Sequence, residues 1–304
     1  MSPRPLPASS GHPEQPLVGK LVVFGVGLIG ASFAAALKRR GAVGQVTGVG
    51  RGRKNLDEAL RRQAVDEVTD NAGQALAGAD AVLLAVPVGQ MAAVLEGVAR
   101  YLPAEAVLTD AGSTKRDVVA AARQALGGKF SRFVPAHPVA GAESSGAGAA
   151  RAELFEGKKV FLTPVADTDP AAMTRVAALW EASGARVLSL SPEEHDDIFG
   201  AVSHLPHLLA YAFVDRLAAG PEGPRLFNFA GSGFRDFTRI AGSSPEMWRD
   251  VCLANRDVLL RRLQDYRGAL AEAADLLERQ DGAGLEALFV RAREARRRGL
   301  AEQE

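Results

Sequence analysis

Short apolar runs alternate with longer amphipathic stretches along the first 190 residues of the chain. The apolar runs predict strands at residues 20–24, 45–50, 81–86, 106–109, 132–135, 159–163 and 185–190. The amphipathic stretches predict helices at residues 31–40, 55–64, 90–101, 113–126 and 170–183. Continuously apolar strands that alternate with helices are typical of a parallel sheet covered on both faces. We therefore predict an α/β fold built on a doubly wound parallel sheet over residues 19–190.

The pattern changes near residue 191, where the strand-like runs stop and helical periodicity takes over. Long helices are predicted at residues 192–215, 245–281 and 283–302, and the last two carry apolar stripes. An apolar stripe needs a partner, so we predict that residues 191–304 form an all-α dimerisation domain that pairs with a second copy. The proline-rich residues 1–18 are predicted to be a flexible tail.

Composition and charge narrow the choice of partner. The chain has 36 basic and 36 acidic side chains, and this neutral balance argues against nucleic acid or an anionic membrane. Its single cysteine excludes a disulfide scaffold and fits a reducing compartment. The longest apolar runs are far shorter than the ~20 residues that span a bilayer. We predict a cytoplasmic protein with a small-molecule partner.

The sequence GVGLIG at residues 25–30 follows the first predicted strand and opens a helix. At these places Gly25 permits a tight turn, Gly27 allows a pyrophosphate to approach the backbone, and Gly30 lets the helix pack closely on the strand. Leu28 and Ile29 complete this predicted phosphate-binding turn, and the N-terminus of the helix that follows stabilises phosphate charge. Glycine triplets also occur in ordinary turns, but here the strand, the helix and the second strand all fit. The motif predicts a Rossmann-like dinucleotide site.

The residues after the second predicted strand bear on the choice of dinucleotide. A fold that selects NAD usually places an acidic residue here, whereas this chain has Gly50 followed by Arg51, Arg53 and Lys54. The glycine leaves room for a 2′-phosphate, and the basic side chains supply cations for it. We predict NADP as the cofactor. NAD or dual use is the alternative, in which these basic residues form only a solvated loop.

Three further segments carry polar residues that packing does not explain. DAGSTK at residues 110–115 and HPVAGAESSG at residues 137–146 each follow a predicted strand, at the end where doubly wound sheets bind ligands. Ser113 in the first is either a functional hydroxyl or a helix N-cap. The third segment is SHLPH at residues 203–207 in the helical region, with GFRDFTRIA at residues 233–241 downstream of it. Two close histidines suggest a metal, but without a third ligand motif we predict none.

In this order and spacing, the segments resemble the prephenate and arogenate dehydrogenases, the oxidoreductases of tyrosine biosynthesis, over roughly residues 19–300. The resemblance implies a nucleotide-binding domain followed by a helical dimerisation domain that forms a homodimer. It implies oxidative decarboxylation of prephenate, or alternatively of arogenate, with NAD(P) as the hydride acceptor. It also implies that His137 is the catalytic histidine and that Ser113 is its partner on the reacting hydroxyl.

The same resemblance assigns contacts with the substrate. His207 and Arg239 would contact its carboxylates or side chain, while Asp236 and Glu143 would make polar contacts or gate the pocket. Two rivals are a different two-domain dehydrogenase and a non-catalytic protein that senses NAD(P). The SHLPH and TRIA segments argue against the first, and the presence of both expected catalytic side chains argues against the second.

Overall fold

A computed structural model describes residues 4–5, 15–142 and 144–301 of the chain. The strands are β1 (Arg4–Pro5), β2 (Val18–Phe24), β3 (Val43–Val49), β4 (Glu67–Thr69), β5 (Ala81–Leu84), β6 (Val107–Asp110), β7 (Phe133–Val134), β8 (Ala136–Pro138), β9 (Lys159–Leu162) and β10 (Arg186–Ser189). The helices are α1 (Leu28–Arg39), α2 (Arg53–Arg61), α3 (Ala72–Leu76), α4 (Met91–Ala99), α5 (Arg116–Leu126), α6 (Pro170–Ala182), α7 (Pro192–Phe199), α8 (Leu205–Ala218), α9 (Gly223–Asn228), α10 (Ser232–Thr238), α11 (Pro245–Ala254), α12 (Arg256–Glu278) and α13 (Gly282–Ala301).

Six strands form a parallel sheet in the order β4, β3, β2, β5, β6, β7. The chain starts at the centre with β2, builds outward on one side, and then returns to build outward on the other. This reversal leaves a crevice beyond the carboxyl ends of β2 and β5, which is where such sheets bind ligands. Buried aliphatic side chains cover both faces, as they do for Val22 and Val23 on adjacent positions of β2. The predicted doubly wound α/β fold is confirmed.

The other four strands form a separate mixed sheet in the order β1, β10, β9, β8. β9 and β10 are parallel to each other, whereas β8 runs antiparallel to β9. The apolar pattern at residues 159–163 and 185–190 does not distinguish this sheet from the first, because both kinds of strand read as short apolar runs. Pro135 separates β7 from β8 and cannot donate a ladder hydrogen bond, so the chain passes from one sheet to the other there.

The region after residue 191 is helical, as predicted, but its first long helix is interrupted. Residues Gly200–His204 form a π-helical turn between α7 and α8. Pro206 lies in the first turn of α8, and a proline within a continuous helix lacks the N–H needed for the next backbone bond. The predicted run at residues 245–281 likewise divides into α11 and α12. Among the described helices, none combines the length and the apolar character that a bilayer span requires.

The chain divides into two compact units, Met1–Asn255 and Arg256–Glu304. The second unit consists of α12 and α13, which contact each other. The domain boundary at residue 191 stays a prediction. Most of the predicted tail lies outside the described residues. Of the rest of that tail, β1 pairs with β10, and β2 begins at Val18.

The close packing of α1 on the sheet can be tested at Gly30. A Cβ atom there would overlap the carbonyl oxygen of Gly25 and lie 2.8 Å from Val23 Cγ1. We expect Gly30→Ala to lower the free energy of unfolding by about 1–3 kcal/mol, which is the usual cost of overpacking. Gly97→Ala in α4 is the matched control, because no atom lies within 4 Å of its Cβ position. The free energy of unfolding of this control should rise by up to about 1 kcal/mol, because alanine has a higher helix propensity than glycine. Urea denaturation measures the free energy of unfolding of both variants. Equal values for the two would contradict close packing at Gly30.

Candidate active site

The glycine motif forms the turn from β2 into α1. Gly25 has a positive φ of 92°, and a Cβ atom there would overlap the carbonyl oxygen of Ala85. Gly27 is the N-cap residue of α1, with no atom within 4 Å of its Cβ position, and it lines a cavity together with Leu28 and Ile29. The first turn of a helix offers unpaired N–H groups and a partial positive charge. The turn therefore fits the pyrophosphate of a dinucleotide.

The basic loop lies at the carboxyl end of β3, beside the glycine turn. Arg51 and Arg53 are exposed, and Arg51 donates a hydrogen bond to Gln90 Oε1 at 2.8 Å. Arg53 is the first residue of α2. Asn55 in the same helix accepts a hydrogen bond from the backbone N–H of Ala147 at 3.2 Å. The loop that follows His137 is thereby attached to the end of the fold that carries the basic side chains.

A cavity of about 960 Å³ lies at the carboxyl edge of the parallel sheet. Of the predicted site residues, it brings together Gly27, Leu28, Ile29, Ser113, His137, His207 and Arg239 on its wall. Asp236 is exposed on α10 and is not among the described lining residues. Glu143 lies outside the described residues. The cavity therefore combines the phosphate-binding end of α1 with polar groups from four other segments.

Ser113 reaches the cavity from the loop between β6 and α5. This loop is anchored by a fully buried ion pair between Lys115 and Asp110. Asp110 also accepts the backbone N–H of Gly112 at 2.7 Å and that of Ala136 at 3.0 Å. Helix α5 begins only at Arg116, with Lys115 as its N-cap residue, so the N-cap alternative for Ser113 is wrong.

His137 lies on β8, one residue after Ala136. Its Nδ1 atom is 2.8 Å from Nε2 of His195, and Nδ1 of His195 is 2.9 Å from Oδ1 of Asp196. His195 and Asp196 are buried, whereas His137 is partly exposed and lines the cavity. The sequence interpretation missed His195 and Asp196, because they follow His137 by about sixty residues and belong to α7. The local signal was the capping box of Ser191 and Glu194, which fixes the first turn of α7 and hence the direction of the next two side chains.

The surroundings keep these histidines neutral. Burial lowers the pKa of His137 well below its usual value; the positive charge of Lys115 acts in the same direction, as would a proton on His195. Burial also lowers the pKa of His195, although its hydrogen bond to Asp196 opposes this. For Asp196, burial raises the pKa, but the hydrogen bonds from His195 and from the backbone N–H groups of Lys115 and Arg116 outweigh it and the pKa is lowered. The site thus pairs an ionised carboxylate with neutral imidazoles.

The helical segments form the opposite wall of the cavity. The ring of His207 stacks on Trp248 with centroids 3.6 Å apart, and its Nδ1 lies 2.9 Å from the carbonyl oxygen of Ser203. Burial lowers the pKa of His207, and the positive charge of Arg239, which lines the same cavity, lowers it further. A fixed imidazole beside a permanently charged guanidinium suits an anionic ligand group.

Known proteins match both halves of the chain. A model of the prephenate dehydrogenase nucleotide-binding domain matches residues 33–189, and one of the prephenate dehydrogenase dimerization domain matches residues 191–291. Prephenate dehydrogenase from Bacillus subtilis (strain 168) is 35% identical over 278 residues, which are 91% of this chain and 75% of that relative.

Two solved structures extend this similarity to the fold. The crystal structure of prephenate dehydrogenase from A. aeolicus, in complex with hydroxyphenyl propionate and NAD+, is 35% identical with a TM-score of 0.85 and covers 93% of this chain and 98% of that one. Arogenate dehydrogenase from Synechocystis is 32% identical with a TM-score of 0.77 and covers 92% and 99%. With matches to both domains and along nine-tenths of its length, the chain belongs to the prephenate dehydrogenase family of oxidoreductases.

Proposed function

We propose that this chain catalyses the oxidative decarboxylation of prephenate to 4-hydroxyphenylpyruvate in tyrosine biosynthesis, with NADP as the hydride acceptor. The observation that carries the proposal is the single cavity shared by the open N-terminus of α1, His137 and Arg239. These are a phosphate-binding element, a neutral base and a fixed cation, which are the three things the reaction needs. The names of the related proteins support the same activity.

The dinucleotide is held by the glycine turn. Gly25 and Gly30 keep the turn tight, while Gly27, Leu28 and Ile29 face the bound phosphates. When bound, the nicotinamide accepts the hydride that leaves the ring carbinol of the substrate. Arg51 and Arg53 bind the 2′-phosphate, because they follow β3 where an acidic residue would otherwise contact the ribose. Their guanidinium groups have the planar fork that suits a phosphate.

His137 acts first as a base and then as an acid. It takes the proton of the carbinol hydroxyl as hydride departs, so that a neutral carbonyl forms at that carbon. Loss of carbon dioxide then leaves its electron pair to the ring, which becomes aromatic, and the protonated imidazole returns its proton to the phenolate oxygen. A histidine whose pKa is lowered is neutral near pH 7 and available for the first step.

The other polar residues orient the substrate. Ser113 hydrogen-bonds the reacting hydroxyl beside His137, and Arg239 binds a carboxylate with its planar fork. His207 contacts the substrate carboxylate or side chain from the same wall. By the family resemblance, Asp236 and Glu143 contribute polar contacts or gate the pocket.

The protein acts as a homodimer through its helical domain. Support comes from the family's dimerization domain and from aromatic side chains left exposed in the single chain. Phe213 and Phe237 contact each other at 5.7 Å yet remain 42% and 48% exposed, and Phe229 is 77% exposed. An apolar cluster of this kind is typical of an interface. A cytoplasmic location remains a prediction from the sequence.

Arogenate is the alternative substrate, because the chain is also similar to the Synechocystis arogenate dehydrogenase. Arogenate differs from prephenate by an amino group in place of the side-chain keto group, so it carries one more positive charge at neutral pH. The cationic group contributed by Arg239 next to His207 favours the more negative prephenate.

Initial rates with the four pairings of substrate and coenzyme test the proposal. Prephenate and arogenate are each supplied with NAD and with NADP, and reduction is followed at the nicotinamide absorbance. We expect prephenate with NADP to be the best pairing. No turnover in any pairing, while the nucleotide still binds, would favour the non-catalytic sensor, and a preference for NAD would make the basic loop a solvated one.

Replacement of His137 tests its role as the base. His137→Asn should lower kcat by about a hundredfold to ten-thousandfold, the usual contribution of general-base catalysis. The dissociation constant for the dinucleotide, measured by fluorescence titration, should stay unchanged because the glycine turn is intact. An unchanged kcat would remove His137 from the mechanism.

Replacement of Arg53 tests the choice of coenzyme. Arg53→Ala should raise the KM for NADP by about tenfold to a hundredfold, since a hydrogen bond to a charged group contributes roughly 1.5–3 kcal/mol, and should leave the KM for NAD nearly unchanged. Arg61→Ala, at the other end of α2 and hydrogen-bonded to Glu58, is the matched control. Equal changes for both coenzymes would exclude a contact with the 2′-phosphate.

A further inference from the structure

His137, His195 and Asp196 form a continuous chain of hydrogen bonds that runs from the cavity into the protein. The two bonds are 2.8 and 2.9 Å long, and the inner two side chains are at most 1% exposed. Phe199 packs against both imidazoles, with ring centroids 4.8 Å from His137 and 4.5 Å from His195. The chain is therefore shielded from water, which strengthens its hydrogen bonds.

The inner end of the chain fixes where the protons lie. Asp196 accepts hydrogen bonds from the backbone N–H groups of Lys115 at 2.8 Å and Arg116 at 3.0 Å, and from Arg116 Nε at 3.2 Å. These donors hold it ionised, and an ionised carboxylate can only accept. His195 must then donate from Nδ1, and because it is neutral its Nε2 carries a lone pair. That lone pair requires a proton on Nδ1 of His137.

We propose that Asp196 and His195 are positioning residues that hold His137 in the Nδ1–H tautomer and so present its Nε2 lone pair to the hydroxyl of the substrate. The role of this tautomer in the reaction rests on the proposed function, whereas the tautomer itself is inferred from the hydrogen-bond chain alone. With the opposite tautomer, Nε2 would carry a proton and would be unable to accept another.

The same chain serves the proton's return. When Nε2 of His137 takes the carbinol proton, the imidazolium formed keeps its Nδ1–H bond to His195, whose Nε2 accepts it. The carboxylate of Asp196 stabilises this charge through His195, and no proton needs to leave the site. After carbon dioxide is lost, Nε2 gives the same proton to the phenolate oxygen, and the original tautomer is restored.

The charges around the chain oppose the imidazolium, which is why the buried carboxylate is needed. The charged and titratable groups that face its three members are Lys115, Arg116, Asp117 and His204. Lys115 lowers the pKa of His137 and so disfavours a positive charge there, whereas His204, whose own pKa is lowered to about 4, adds to this effect only when it is protonated. Asp196 offers the opposing negative charge at the end of the hydrogen-bond chain.

Two substitutions at His195 separate hydrogen bonding from packing. His195→Gln can place an amide oxygen near the former Nε2 atom and accept from His137, whereas His195→Phe keeps a ring but offers no acceptor. We expect the phenylalanine variant to lose about a hundredfold in kcat and the glutamine variant about tenfold or less, with little change in KM for either substrate.

The tautomer itself is measured by 15N NMR of histidine-labelled protein near neutral pH. The chain has five histidines, so single substitutions assign each pair of ring nitrogens. We expect a protonated Nδ1 and an unprotonated Nε2 for His137 in the unsubstituted enzyme and in His195→Gln, and a mixture of tautomers in His195→Phe. Phe199→Leu is the control, because it alters ring packing while keeping both hydrogen bonds, and it should leave the tautomer unchanged.

The tautomer of the unsubstituted enzyme tests the proposal without an activity assay, and the kcat values of the two His195 variants test it a second time. A protonated Nε2 on His137 in the unsubstituted enzyme would overturn it, as would equal losses of kcat in both His195 variants with no change in tautomer. If His195→Phe does not fold, the unsubstituted enzyme and His195→Gln still decide the tautomer. Absence of turnover with prephenate would instead contradict the proposed function and leave the tautomer measurement standing.

Discussion

The ion pair between Lys115 and Asp110 is the interaction on which the rest of the site depends. Neither side chain has any exposed surface, so the pair is stable only because its remaining polar atoms are also bonded. Those bonds go to the loop after β6 and to both backbone groups of Ala136, since Lys115 Nζ donates to its carbonyl at 2.7 Å. Ala136 is the first residue of β8, in the second sheet, and it precedes His137. One buried pair therefore fixes both the Ser113 loop and β8, the strand that carries His137. Removal of one partner would leave an unpaired buried charge costing about 3–5 kcal/mol.

The start of α5 joins this arrangement to the helical segments of the same unit. Asp196 in α7 accepts the backbone N–H groups of Lys115 and Arg116, which the first turn of α5 leaves without partners. Asn255 extends the contact by donating to the carbonyl oxygen of Asp196 at 2.7 Å and accepting from Arg116 at 2.9 Å. A single carboxylate thus caps one helix and terminates the hydrogen-bond chain of His137.

The nucleotide-binding part of the site is formed by one local turn, whereas the substrate-binding part is formed by segments that are far apart in the sequence. The phosphate end is built from one short turn, whose glycines act through backbone conformation and close approach. The rest of the cavity is lined by side chains from the loop after β6, from β8, from α8 and from the turn after α10, which only the folded chain assembles. A turn such as this one can be predicted from the sequence, because its tight backbone restricts which residues can occupy it. The set of side chains that surrounds the substrate cannot be predicted in this way, because it depends on how distant segments of the chain are placed in the fold.

The sequence by itself determined the doubly wound sheet, the glycine turn and the position of His137 after a strand, because each depends on periodicity or on the residue needed at one place. It also determined the family, since several motifs recur in order. It did not determine the second sheet, because strands of either sheet read as similar apolar runs, nor the π-helical turn before Pro206. The tertiary structure decided that Ser113 is not an N-cap and that His195 and Asp196 stand behind His137. These contacts join residues about sixty positions apart. Packing of the whole unit brings the two segments together, so no local sequence pattern predicts the contacts.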